Sequence, residues 1–173
     1  MCVLAEQPQA EYGAEISATP AALSLADAKL MVEQMAKSEA WQKLDAIDEE
    51  LEAHPEAFFE LPTEHLFPPG QYVRTVLMNA GRFITTRIHL VEHPFIVSAG
   101  SALVWTAEHG VIEISAPYIG LTPPGVRRLL YILDDCVWTT IHPNPDNETD
   151  PKKIVARVTY NNRELREKAR ISP

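Results

Sequence analysis

Residues 81–100 read GRFITTRIHLVEHPFIVSAG and place His89 and His93 four positions apart between two glycines. Two imidazoles at this distance suit a divalent ion or a proton transfer near neutral pH. On a helix the same spacing would put both rings on one face for zinc. Here the neighbours are β-branched, so the segment reads as two strands and a helical zinc site is disfavoured. Strand alternation then sorts the side chains. On 82–90 one face carries Phe83, Thr85, Arg87 and His89, and the other Ile84, Thr86, Ile88 and Leu90. On the next run His93, Phe95 and Val97 share a face, from which Glu92 points away. On a late strand Trp138, Thr140 and His142 lie opposite Val137, Thr139 and Ile141. The mixed faces suit the lumen of a small barrel, where polar groups converge on a ligand. His89, His93 and His142 could thus converge as a three-histidine metal site for zinc, iron, manganese or nickel, the alternative being that His89 and His93 are polar lumen residues bonded to their neighbours with no metal.

The elements that must carry these residues differ along the chain. Residues 1–64 hold 14 Asp/Glu against 3 Lys/Arg, and residues 65–173 hold 10 against 12, within a formal net charge of −9. The acidic first third argues against nucleic acid or an anionic membrane as partner. Residues 1–22 lack periodicity and read as a tail. In 23–63, Ser24 and Asp27 form a capping-box pattern. Leu30, Met31, Met35 and Ala36, then Trp41, Leu44, Ile47 and Leu51, make an apolar stripe, with Lys43, Asp45, Asp48 and Glu49 on the other face and His54-Pro55 as its stop. That stripe must pack on the rest of the chain or on another subunit.

From residue 64 the pattern becomes short strands, expected near 64–67, 72–78, 82–90, 94–98, 102–106, 110–116, 118–121, 127–133 and 135–142. Such spacing suggests a sandwich or barrel over 64–145. In the 146–173 tail, Asp150-Pro151 opens a helix whose face holds Ile154, Val155, Val158, Asn162 and Leu165. With 173 residues, 46% of them hydrophobic, the chain can bury a core without staples. Cys2 and Cys136 make no disulfide framework, there is no apolar run for a membrane span, and the start lacks signal-peptide character. The cytoplasm, of a bacterium or an infected host cell, is the expected location.

The glycine-bracketed segment resembles the first motif of the cupins, small double-stranded β-helix barrels. That motif is G-x5-H-x-H-x3-4-E-x6-G, and every spacing fits here, with Arg87 in place of the first histidine and His93 in place of the glutamate. The second cupin motif, G-x5-P-x-G-x2-H-x3-N, is matched by Pro123-Pro124-Gly125, with Arg128 for its histidine, Pro117 for its glycine and Ile132 for its asparagine. A looser likeness is to small cupin-like bacteriophage proteins. The resemblance implies a mainly β cupin barrel with an N-terminal helical extension and a short C-terminal helix. It also implies a homodimer or higher oligomer.

At the positions the resemblance aims inward, Arg87 and Arg128 would repel a cation and favour a carboxylate or phosphate. Their structural alternative is pairing with Glu113, Asp134 or Asp135. Ligand-binding candidates are thus Arg87, Arg128, Thr140 and Trp138. Asp134-Asp135 reads as a solvated hairpin turn, His54 and His65 as surface residues, His109-Gly110 as a tight turn, and Cys136 as a free thiol rather than a nucleophile. Two functions stand side by side. One is a cupin binding a divalent metal and a small polar ligand, with or without catalysis. The other is a non-catalytic structural or anion-binding module.

Overall fold

The computed structural model describes residues 38–54 and 61–171, together with Ser24, Ala26, Asp27, Lys29 and Leu30. The expected tail at 1–22 lies outside the described residues, as do Met31, Met35 and Ala36 of the expected stripe. Helix α1 spans Glu39–Ala53. Nine strands follow in part, β1 Thr63–Leu66, β2 Gly70–Met78, β3 Phe83–Thr85, β4 Ile88–His89, β5 His93–Thr106, β6 Gly110–Ser115, β7 Tyr118–Thr122, β8 Leu129–Asn144 and β9 Thr159–Tyr160, with α2 Pro151–Val158 before β9 and α3 Asn162–Ile171 after it. The mainly β expectation, with a helix before it and short helices after it, holds.

Two long strands organise the fold. The sheet runs β1-β2-β8-β5-β6, all antiparallel, with β3 added to β8 and β7 to β5. The second half of β8 pairs with β2 and with the first half of β5, where Trp138 faces Val97. The first half of β8 pairs with β3 and with the second half of β5, where Leu130 faces Val104. Between these halves the register shifts at Val97/Ala99, Ala99/Ser101 and Ser101/Ala102. Such bulges bend a strand and increase its twist, so one hydrogen-bonded sheet supplies two facing layers. Gly100 sits at the bend with φ +76°, and a Cβ there would lie 2.2 Å from the Asp135 carbonyl oxygen. Only glycine allows the two backbones to approach so closely.

The bend overturns two expectations. The runs 94–98 and 102–106 are one strand, and so are 127–133 and 135–142. Asp134 and Asp135 form no hairpin turn but lie inside β8. The Ser101 hydroxyl donates to Asp134, and Asp135 Oδ1 accepts from the Ala80 amide at 2.9 Å. These bonds hold polar residues where the strands change layer.

The faces turned together bury Val76, Met78, Phe95, Val97, Val104, Ile114, Leu130, Ile132 and Trp138. The expected strand 82–90 breaks instead. The Thr86 amide donates to the Arg128 carbonyl at 2.9 Å, and the Thr86 hydroxyl accepts from the Arg128 amide at 3.0 Å. Beyond this clamp the chain leaves the main sheet, and β4 pairs with β9. Alternation therefore fails across the break, and Ile84, expected on the face away from the lumen, packs on the sheet core and lines the main cavity.

The C-terminal segment also divides. Asp150 caps α2 by accepting from the Lys152 amide at 2.9 Å. The helix stops at Thr159, where Thr159 and Tyr160 leave helical geometry to bridge β4, as β-branched and aromatic residues favour. Trp41 of α1 is buried with Ile88, Leu90, Tyr160 and Leu165, so the apolar stripe packs on its own chain. Burying a side chain of this size stabilises by about 2–3 kcal/mol.

Candidate metal centre and cavity

Each histidine arrives by a different constraint. His89 ends the two-residue bridge β4, and its carbonyl accepts from the Gly125 amide at 2.7 Å. His93 opens β5, opposite Thr122. His142 lies near the end of β8, opposite Tyr72. Ring centroids are 4.2 Å apart for His89 and His93, 4.1 Å for His93 and His142, and 5.6 Å for His89 and His142. One ligand atom from each ring lies within 4.8 Å of the others. Three histidines thus stand close enough to hold a metal ion.

The ring nitrogens test whether an ion fits. His89 Nδ1, His93 Nε2 and His142 Nδ1 are buried without a hydrogen-bond partner. His93 Nδ1 lies 3.1 Å from the Val91 carbonyl oxygen. A carbonyl only accepts, so Nδ1 carries the proton and Nε2 presents its lone pair. Buried polar atoms normally find partners, so three clustered rings with one unsatisfied nitrogen each fit the chemistry of a cation site. Three neutral nitrogen donors suit zinc, iron, manganese or nickel alike.

The protonation states agree with that chemistry. Burial is the main cause that holds His89 well below its ordinary value, and His93, His142, Arg128 and Arg74 add to it. Burial lowers His93 to about 4, against the bond to Val91 and with help from Arg128. Burial lowers His142 to about 3, helped by His93 and Arg74. The rings are neutral at physiological pH and ready to ligate.

A stability consequence follows for the metal-free protein. Above pH 6.5 neither folded nor unfolded chain protonates His93 or His142, and nothing is lost. As pH falls from 6.5 toward 4, the unfolded chain takes protons that the folded state refuses, so stability falls. At pH 5 the loss is about 2 kcal/mol for each ring. Urea midpoints at pH 7.5 and 5.0 measure it, and His93→Asn should remove about a third of the difference, since His89 is held neutral as well. A midpoint unchanged between these pH values would show that the rings are not held neutral by burial.

Next to the histidines lies a cavity of about 720 Å³. His89 and His142 line it together with Trp138 and Thr140, while His93 sits behind them, almost wholly buried. Trp138 stacks on Phe95 with centroids 4.7 Å apart. Arg128 is buried, donates to the Thr122 hydroxyl at 2.8 Å and lies over the Phe95 ring at 5.2 Å. Arg87 is exposed and lines the cavity from its rim. Glu92 is exposed, and Cys136 is buried with its thiol pushed up by that burial.

One expectation needs correction, the placing of Asp48 on the solvated face of its helix. Arg127 is buried. Its partners are Asp45 at 2.6 Å and Asp48 at 2.7 Å, both on α1. Asp48 is consequently buried rather than on a solvated face. His65 is exposed, as expected, with its Nδ1 2.8 Å from the Tyr72 hydroxyl beside the cavity, and Tyr72 stacks on His142.

Two lining residues escaped the sequence reading, Tyr72 and Arg74 of β2. The alternation of β2, with Tyr72, Val76 and Met78 buried, was the signal that could have placed Arg74 inward. The expected histidine pattern drew attention to strands with histidines, and β2 has none.

Fold and site together define a mainly β protein of two facing layers with a buried three-histidine cluster beside a cationic cavity. No family model and no curated protein matches the chain. Among solved structures it is similar to a cupin-2 domain containing protein from Shewanella frigidimarina, at 14% identity over 54% of this chain and 92% of that chain, with a TM-score of 0.42. It is also similar to an RmlC-like cupin family protein with a double-stranded β-helix fold from Methanocaldococcus jannaschii, at 11% identity over 50% and 84%, TM-score 0.42. A protein from Neisseria meningitidis matches at 18% identity over 54% and 96%, TM-score 0.42. No helix among the described residues is long and apolar enough to cross a membrane.

Proposed function

We propose that this chain is a cupin-type protein that binds one divalent metal ion through His89, His93 and His142 and receives a small polar ligand in the adjoining cavity. The observation that carries this reading is the meeting of three histidines beside the cavity, each with one ring nitrogen within 4.8 Å of the others. A bound ion would supply Lewis acidity or an acidified water to whatever occupies the cavity. The chain's own residues would orient that occupant: Thr140 and the arginines by polar contacts, Trp138 by its ring.

The test is zinc titration of tag-free, metal-stripped protein by calorimetry, with thermal unfolding in parallel. One equivalent is expected, with a stability gain of about 4 kcal/mol when zinc exceeds its Kd a thousandfold. Uptake well below one equivalent would defeat the metal reading.

A non-catalytic binding module is the second reading. It is favoured by the lining of the cavity, which among the described residues includes no carboxylate. Without one, and with the histidines committed to an ion, the cavity has no evident general base.

A further inference from the structure

Arg74 is the least explained charge in the molecule. It sits in the middle of β2, opposite Thr140, and its side chain lines the cavity. Its field reaches both His89 and His142. Burial, opposed by Tyr72 and reinforced by Arg87, holds its guanidinium below the ordinary value. Among the described residues no carboxylate pairs with it, and none lines the cavity that it shares with Arg87 at the rim. A half-buried guanidinium without a counter-ion is costly, and an ion on three neutral ligands would keep its full positive charge beside it. Both costs are offset by one incoming anion.

The rest of the wall limits which anion. Val76, Met78, Leu130 and Trp138 are buried apolar side chains facing the same space. A cavity of about 720 Å³ holds far more than an inorganic ion. The guanidinium fork matches the two oxygens of a carboxylate. We propose that the cavity takes a small amphipathic carboxylate, with its carboxylate on Arg74 and its apolar body against Val76, Met78 and Trp138. This names the ligand class of the site proposed above and rests on that reading of the cavity.

The experiment uses 3-phenylpropionate as probe, with binding followed by calorimetry and tryptophan fluorescence on zinc-loaded protein. Arg74→Gln should weaken binding roughly ten- to hundredfold, and Arg74→Lys should recover part of it. The neutral amide 3-phenylpropionamide and inorganic phosphate should each bind at least about tenfold more weakly than the carboxylate. Undiminished binding by Arg74→Gln, or phosphate binding as well as 3-phenylpropionate, would overturn the proposal. Zinc uptake is measured on the same samples and also reports that each variant is folded. Normal zinc uptake without carboxylate binding defeats the carboxylate alone. Carboxylate binding without zinc uptake defeats the metal centre and leaves Arg74 as the anion site.

Discussion

His142→Leu should weaken zinc binding by a hundredfold or more, on the order of 3 kcal/mol, while leaving the metal-free fold as stable as before or more stable. The two halves of this expectation come from the same geometry. His142 is 4% exposed, its Nδ1 has no partner, and its ring lies between those of Tyr72 and His93. A buried polar atom left unsatisfied costs about 1–3 kcal/mol, which an apolar side chain of similar size removes. With an ion bound, the same ring supplies one of the three ligands. His93→Leu should behave alike, since Nε2 is orphaned while Nδ1 is held by Val91. Calorimetric titration and urea unfolding of metal-free protein read the two effects separately. A variant that lost stability without zinc and kept its zinc affinity would make these histidines packing residues.

Asp48→Ala should destabilise the protein by about 3–5 kcal/mol. Asp48 Oδ2 accepts from Arg127 at 2.7 Å, from Arg166 at 3.1 Å and from Asn162 at 3.1 Å. It therefore joins α1, the turn before β8 and α3. Arg127 and Arg166 are 3% and 5% exposed, so removing the carboxylate strands two guanidinium groups out of water. Asp45 and Glu52 would still hold one nitrogen of each, at 2.6 Å, which keeps the loss below that of two bare charges.

The damage should reach the site, because Arg127 follows the Gly125–Val126 backbone that bonds to His89 on both sides. Zinc affinity is thus expected to fall along with stability in Asp48→Ala. Urea midpoints measure the main effect. A loss under about 1 kcal/mol, the range of exposed pairs, would mean that the cluster is hydrated and weak.

Much of the local structure was legible. Period-two alternation marked the strands, and Asp150-Pro151 marked α2, because both signals depend on neighbours within a few residues. The strand faces also put His142 with Trp138 and Thr140, as β8 has it. Where alternation met a break, it misled. The hydrogen bonds of Thr86 to Arg128 interrupt 82–90, and their partners are 42 residues apart. The Asp134-Asp135 pair has turn composition, yet Ser101 and Ala80 satisfy it inside a bent strand.

Residue types and short-range order therefore set the strands, the helices and the presence of ring nitrogens and guanidinium groups in their inward-facing runs. Which of these meet is a matter of long-range packing. Asp48 bonds residues 79 and 118 positions away, and no periodicity on α1 distinguishes such a buried carboxylate from a solvated one. Arg74 looks like any polar residue of an alternating strand until the assembled cavity shows that, among the described residues, nothing acidic meets it. Burial, desolvation and the absence of a counter-ion are properties of the assembled cavity, and they turn three histidines and an arginine into a candidate site.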